Sequence, residues 1–344
     1  MKNGGKTRLG VARLTQLLQG KTHLLIVMQD NPDPDSIAAA VALRKFANTV
    51  GDVPCSITHG GTVGRGENRA LVRYLGLNLH PCSQIEFEKF DLIAMVDTQP
   101  GTGNNSLPQH LIPDIVIDHH PLRRASRQAQ LIDIRTEYGA TATILLEYLI
   151  HAGIRPDTQL ATALLYGIRS DTQDLGREAG KADIKAVTLL FPIANKRMLG
   201  EIQRGSVERG YFQMLGEALK NARVYGNCII AGLGEINNPD MIAEVADLLL
   251  RDDEIVCTIC YGFSQNKMLL SVRTSEPDKR ADKIIQRIVA RRGTGGGHQT
   301  YAGGQIPLRD GTKSATAKLE KAIRQKCLQI AGVQDHHGER LIHY

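Results

Sequence analysis

Three uninterrupted apolar runs in the first half of the chain each end in acid. "HLLIVMQ" (23–29) leads into "DNPDPD", "FDLIAMVDTQP" (90–100) breaks at Asp97, and "PDIVIDHHP" (113–121) stops on Asp118, His119 and His120. A strand wetted on one side alternates apolar and polar residues, whereas a continuous run implies burial on both faces. Patterns of helical period follow the runs, at 35–51, 66–76, 141–153 and 159–175, and "VPCSITHG" reads as a further strand. Strand–helix alternation predicts an α/β fold built on a parallel sheet with helices on both faces.

In an open sheet of that kind, ligands bind outside the carboxyl ends of the strands. Four acidic groups follow apolar runs: Asp33 with Asp35, then Asp97, the set Asp118, His119 and His120, and Asp171 after "LLYGIRS". Strands emerging side by side are expected to bring these groups together. Carboxylates crowded within about 6 Å raise one another's pKa. A divalent cation removes that cost, and imidazole beside carboxylate suits Mn²⁺, Zn²⁺ or Fe²⁺ better than an all-oxygen calcium cage. Pro32 and Pro34 restrict the backbone of the "NPDPD" junction and hold Asp33 and Asp35 forward. A competing reading of the same segment is a helix N-cap, with Asp35 beside Ser36 opening "IAAAVALRKF".

The 344 residues are long enough for two domains. Hydrophobic residues make up 42% and charged residues 23%, the balance of a globular protein. No apolar run reaches membrane length, and the basic N-terminus lacks the features of a secretory leader, so a cytoplasmic location is expected. Net charge is +6, which favours an anionic ligand. Aromatic residues are only 4% and Trp is absent, which argues against a long base-stacking platform. The six cysteines are scattered. Cys257 and Cys260 alone have CxxC spacing, and they lie in "EIVCTICYGF", where buried strand thiols are the favoured reading over zinc or redox use.

Residues 186–222 read as a helical linker. From 223 the texture becomes that of a smaller α/β domain reaching to 331, with a tail at 332–344 whose His336, His337 and His343 are expected to face solvent. The first domain is placed at 1–185.

The set "NPDPD", "VDTQ", "IDHHP" and "GIRSDT", in that order, resembles the four motifs of the DHH phosphoesterase superfamily. "LLSVRTS" (269–275) and "GTGGGHQTYAGG" (293–304) are similar to the DHH-associated C-terminal domain of that superfamily, in the branch of nanoRNases and 3′-phosphoadenosine 5′-phosphate phosphatases. The resemblance implies Asp33, Asp35, Asp97, His119 and Asp171 as metal ligands, with Asp97 bridging two Mn²⁺ ions and Mg²⁺ or Co²⁺ as substitutes. It implies His120 facing the substrate phosphate and Asp118 orienting the histidines. Arg273, Gly296, Gly297 and His298 are the implied substrate contacts, joined by Arg169. The stretch "GTGGGH" is otherwise a flexible loop. Asn68 and Arg69 in "GRGENRALVR" lie either at the rim of the site or on an ordinary surface helix. One position departs from the pattern: the usual histidine four residues before the first aspartate is Gln29 here, a weaker ligand for a first-row transition metal.

The implied activity is hydrolysis of phosphodiester or phosphomonoester bonds of small nucleotides by a metal-activated water. Its substrates would be short oligoribonucleotides, 3′-phosphoadenosine 5′-phosphate, or linear or cyclic dinucleotides. The alternatives are a pyrophosphatase or exopolyphosphatase, and a nucleotide-binding sensor weakened by Gln29. A small nucleotide or short oligonucleotide is the expected partner, with no long duplex nucleic acid and no membrane; a homodimer is allowed.

Overall fold

The computed structural model describes residues 3–308, 313–331 and 338–342. His336, His337 and His343 lie outside the described residues. The chain divides into two compact units, 1–206 and 207–344.

The first unit is built on six strands: β1 (Leu24–Val27), β2 (Cys55–His59), β3 (His80–Pro81), β4 (Leu92–Val96), β5 (Ile115–Asp118) and β6 (Leu131–Ile134). They pair in the order β3-β2-β1-β4-β5-β6, and every pairing is parallel. Every residue of β1, β4 and β5 is buried, as their continuous apolar runs predict. The edge strand β6 alternates, with Leu131 buried and Ile132 exposed.

Among the described residues, seven helices belong to this unit: α1 (Asn3–Leu18), α2 (Pro34–Val50), α3 (Gly66–Tyr74), α4 (Thr141–His151), α5 (Thr158–Asp171), α6 (Lys181–Leu190) and α7 (Lys196–Gln203). The main core lies between one face of the sheet and these helices, joining Leu24, Ile26, Ala94 and Ile117 to Ala38, Ile144 and Leu164. The opposite face, Leu25, Val27, Ile93 and Met95, is covered by Leu107 and by short 3₁₀ turns and loops carrying Ile85, Phe87 and Phe90.

Helix α2 is rich in small residues, with Ala38, Ala39, Ala40 and Ala42 all buried. Helices α4 and α5 pack against it. The approach is tightest at Gly167 of α5, where a Cβ would meet the Pro34 carbonyl oxygen at 2.9 Å and the Ala38 Cβ at 3.1 Å. Only glycine lets the two backbones pass so closely.

The second unit holds a seven-stranded mixed sheet. Its strands are β7 (Arg223–Tyr225), β8 (Cys228–Glu235), β9 (Cys257–Ser264), β10 (Lys267–Thr274), β11 (Thr294–Gly297), β12 (Tyr301–Pro307) and β13 (Glu339–Arg340). Their order is β11-β12-β10-β9-β8-β7-β13. Only β8 and β9 run parallel; the remaining pairs are antiparallel. Helices α8 (Arg209–Asn221) and α9 (Asp240–Leu249) cover one face. Helices α10 (Ala281–Val289) and α11 (Lys313–Ala331) cover the other. Most of the "GTGGGH" segment is not a loop: Thr294, Gly295, Gly296 and Gly297 form the edge strand β11. Among the described residues, no helix is long and apolar enough to cross a membrane.

Candidate metal centre

Strand β1 pairs with β2 on one side and β4 on the other. The chain order reverses between β1 and β4, so the segments leaving those two strands diverge and open a crevice at their carboxyl ends. The "NPDPD" junction leaves β1 there, and Asp97 leaves β4.

Each acidic side chain is held by its local structure. Asp97 sits at φ 57°, a left-handed conformation tolerated by Asp better than by most residues, which turns the chain out of the strand at once. Its Oδ1 accepts a hydrogen bond from the Thr141 hydroxyl at 3.1 Å. Asp35 lies in the first turn of α2 and reaches the first turn of α4, where it accepts the backbone N–H groups of Thr141 at 2.7 Å and Ala142 at 2.8 Å. Capping of α2 falls to Asp33 rather than Asp35: Asp33 Oδ1 accepts the Ser36 N–H at 2.9 Å. The junction is clamped by Asn68, whose Nδ2 donates to the Pro32 carbonyl at 3.0 Å, and by Asn31, which accepts the Thr62 N–H at 3.1 Å. Asn68 is buried and holds the loop in place, so it does not lie on an exposed helix face; Arg69 donates to the carbonyls of Gly64 and Ser206.

Asp171 does not follow a strand, contrary to the expectation that all four acids sit at strand ends. It is the last residue of helix α5, and the close passage at Gly167 one turn earlier carries it to the site. His119 Nε2 lies 3.1 Å from Asp171 Oδ2 and 3.5 Å from Asp97 Oδ1. His119 Nδ1 lies 3.2 Å from the Tyr138 carbonyl oxygen, an acceptor only, so Nδ1 carries the proton and Nε2 is the nitrogen aimed at the carboxylates. The Tyr138 loop is itself anchored by fully buried Arg135, which bonds Asp133, Glu147 and the Tyr138 hydroxyl.

His120 is about a third exposed, and its Nδ1 meets Asp118 Oδ1 at 2.8 Å. Asp118 Oδ2 accepts from Gln99 Nε2 at 2.7 Å, while Gln99 Oε1 accepts from the Arg123 N–H and the Ser126 hydroxyl, both at 2.8 Å. Gln99 thus ties the end of β4 to the loop after the histidines.

Two ligand-like clusters result: Asp35, His119 and Asp171, and Asp97, Asp118, His119 and His120, each with donor atoms within 4.8 Å of one another. Burial and then the Asp171 charge push the Asp35 carboxyl up to about 8. Burial, followed by Asp33 and Asp35, raises Asp97 well above the carboxylate range. Burial, followed by Asp171, raises Asp33. Burial works against a charged His119, but the Asp171 hydrogen bond and the surrounding carboxylates outweigh it and bring the imidazole to about 10. Burial likewise opposes ionisation of Asp118, yet its bond from His120 and the imidazole charges hold it down at about 2. Left alone, the cluster gathers protons. A divalent cation supplies the same positive charge, and the oxygen and imidazole donors match its chemistry. The residues therefore fit a metal.

Asp33 is coupled by charge to Asp171 and Asp97 but lies outside both clusters. Gln29 is half-buried just past the end of β1, behind Met28, whose N–H donates to the Thr58 carbonyl. Arg169 pairs with Asp174 at 2.6 Å and lines a polar cavity of about 330 Å³ with Glu67, Tyr166 and Gln203. The remaining substrate candidates belong to the second unit. There Arg273 bonds Asp247 and Ser271, with its guanidinium 5.8 Å from the centre of the Tyr301 ring. The His298 ring stacks on Tyr301 at 4.5 Å. Gly296 has open space where a Cβ would stand, whereas at Gly297, with φ 147°, one would strike the Tyr301 carbonyl at 2.5 Å.

Sequence reasoning passed over Gln99, Tyr138, Thr141 and Tyr301. Gln99 lies inside the quoted "VDTQ", but its partners are set by tertiary structure. Tyr138 acts through its backbone, which no side-chain pattern reports.

With that geometry in view, the comparisons agree on its kind. The chain matches the DHH family, N-terminal domain, over residues 23–168 and the DHHA1 domain over 225–325. It belongs to the DHH phosphoesterase superfamily and carries the C-terminal DHHA1 domain. It is 37% identical over 322 residues to an uncharacterised protein of Methanocaldococcus jannaschii, a match that covers 92% of this chain and 65% of that protein. The chain thus spans about two thirds of that relative's length. In structure it is similar to an exopolyphosphatase-related protein from Bacteroides fragilis, with TM-score 0.72, 14% identity, and coverage of 94% of this chain and 98% of that one. That likeness shows the fold.

Proposed function

We propose that the protein is a metal-dependent phosphoesterase hydrolysing phosphate esters of small nucleotides. The observation that carries this reading is the pair of clusters Asp35, His119, Asp171 and Asp97, Asp118, His119, His120, which share His119, come from separate segments and are crowded where only added positive charge makes the crowding tolerable. Members of the family are metal-dependent hydrolases.

Asp35, Asp97, His119 and Asp171 would hold one divalent cation, Mn²⁺ by preference. Asp33, Asp97 and Gln29 would hold a second, looser one. Such an ion lowers the pKa of water and neutralises charge on phosphoryl oxygens. The protein's own part is positioning. Asp118 fixes the His120 ring through Nδ1, so that the exposed side of the imidazole meets a phosphate. Gln99 holds Asp118 in place. In the second unit, the stacked pair His298 and Tyr301 suits a base or sugar, and Arg273 beside it suits a phosphate. That aromatic-basic combination favours a nucleotide over pyrophosphate.

A substrate panel of pyrophosphate, 3′-phosphoadenosine 5′-phosphate, a diadenylate and cyclic di-AMP, each with Mn²⁺ or Mg²⁺, tests the reading. Turnover of a nucleotide is expected, lost in Asp97→Asn. Asn accepts the left-handed backbone at position 97, so this variant removes charge without adding strain. Release of orthophosphate from pyrophosphate alone would move the assignment to a pyrophosphatase. Activity that survives Asp97→Asn would place the chemistry elsewhere.

A further inference from the structure

The second unit holds two thiols that neither the metal centre nor the nucleotide-facing residues use. Strands β8 and β9 run parallel, and their register sets Cys228 directly beside Cys257. Paired residues on neighbouring strands stand about 4.8 Å apart at Cα. A disulfide accepts a Cα separation of about 4.4–6.8 Å. The side chains share a face: Cys228 belongs to the core under α10 and α11, and Cys257 packs against that same core. Cys260 lies three residues on along β9 and points to the opposite face, into the core under α8 and α9. The CxxC spacing therefore marks the wrong pair. The neighbour that Cys257 reaches is 29 positions upstream in the sequence.

From this register we propose that Cys228 and Cys257 form a reversible dithiol–disulfide pair, an oxidation site in the second unit.

The two thiols are free. They are unequal. Cys257 opens its strand and is half-buried, and the Cys228 thiol beside it, helped by the Lys279 charge, brings its own thiol below the ordinary value against the effect of burial. Cys228 is fully buried, and the Cys257 thiol beside it, burial and the further thiols Cys327 and Cys260 push it well up. One reachable, more acidic thiol beside one buried partner is the arrangement of an attacking and a resolving cysteine. The plain alternative is two small apolar side chains packing in a sheet, and Cys260 fits that description. It does not account for the register or for the difference in acidity.

The oxidant is a small-molecule disulfide of the glutathione class. The Cys257 thiolate attacks one of its sulfurs, forming a mixed disulfide and expelling one glutathione thiolate. The Cys228 thiolate then attacks the Cys257 sulfur and expels the second. Two protein thiols are oxidised, one disulfide is reduced to two thiols, and the protons pass to the departing thiolates. A bridge closed here ties β8 to the first residue of β9. Cys257 pairs in turn with Thr274 of β10, whose N–H donates to Thr300 and whose hydroxyl donates to Gln299, beside His298.

The test uses the full chain, incubated with oxidised glutathione, alkylated, digested and read by mass spectrometry. A peptide pair joined through Cys228 and Cys257 is expected, reversed by dithiothreitol. Cys260→Ser should leave it intact. Cys228→Ser should trap glutathione on Cys257. Circular dichroism confirms that each variant is folded. If both thiols remain alkylatable in the folded wild type, the pair is only packing and the proposal fails. A bridge from Cys257 to Cys327, or a glutathione adduct on Cys257 that wild type never resolves, overturns it equally.

Discussion

Thr141 donates its backbone N–H to Asp35 at 2.7 Å, and through its hydroxyl it reaches Asp97 at 3.1 Å. One residue at the start of α4 thus fixes two carboxylates that arrive on different elements. Thr141→Val keeps the shape and the backbone bond but removes the hydroxyl. The fold should lose only about 1 kcal/mol. Mn²⁺ affinity should fall about tenfold, the usual scale for losing a partner that orients a ligand. Calorimetric titration with Mn²⁺ checks this. Unchanged affinity would mean that Asp97 needs no orientation from α4.

Proton and metal should compete. Asp35 ordinarily ionises near 3.8 but is raised to about 8 in the folded chain, and His119 is raised from 6.5 to about 10. Both groups keep a proton in the metal-free fold over a pH range where the unfolded chain has released it. The metal-free fold therefore loses stability as pH rises through that range. Asp118, held down at about 2, acts in the opposite sense and only in acid. With metal removed by a chelator, the melting temperature should fall between pH 6 and 9. At a hundredfold excess over its dissociation constant, Mn²⁺ should add about 2.7 kcal/mol. For a unit of this size that is roughly 5–10 °C. Its effect should grow with pH. Parallel pH profiles with and without Mn²⁺ would contradict a cation among these carboxylates.

The two cation positions should be unequal, because Gln29 offers only a neutral amide where imidazole would bind more firmly. After dialysis against metal-free buffer, about one Mn²⁺ per chain should remain, and Gln29→His should raise this towards about two. Elemental analysis reads the ratio independently of turnover. Two ions retained by the wild type would show that Gln29 is no handicap.

The parts of the site legible in sequence were those written in local pattern. The runs at β1, β4 and β5 are buried on both faces, so they read as continuous apolar strings, and the acid at each end is contiguous with its strand. Asp171 was grouped with them by composition alone. The helical pattern at 159–175 reports the helix that carries Asp171, but only the packing of α5 on α2 shows where that helix delivers it. Strand β6 was passed over because four residues with an exposed Ile132 carry too short a period. Thr141, Gln99 and the Tyr138 carbonyl act through partners at least 19 positions away. The register of β8 on β9, which unites Cys228 with Cys257, is likewise a property of the folded sheet.

Gly167 sets two opposing effects against each other. In an exposed helix, Gly→Ala stabilises by about 1 kcal/mol. Here the added Cβ would sit 2.9 Å from the Pro34 carbonyl oxygen and 3.2 Å from the Asp35 Cα, both backbone atoms that cannot rotate away. Relieving that overlap costs about 1–3 kcal/mol, so the strain should win. It is relieved by moving α5 off α2, which draws Asp171 away from Asp35 and from His119, now 3.1 Å apart at Nε2 and Oδ2. Gly167→Ala should therefore lower both the melting temperature and Mn²⁺ affinity, whereas the same change at Gly200 of α7, where a Cβ meets nothing within 4 Å, should do neither. A Gly167→Ala protein that melts higher than wild type and binds Mn²⁺ as tightly would show that the helix contact does not position the ligand.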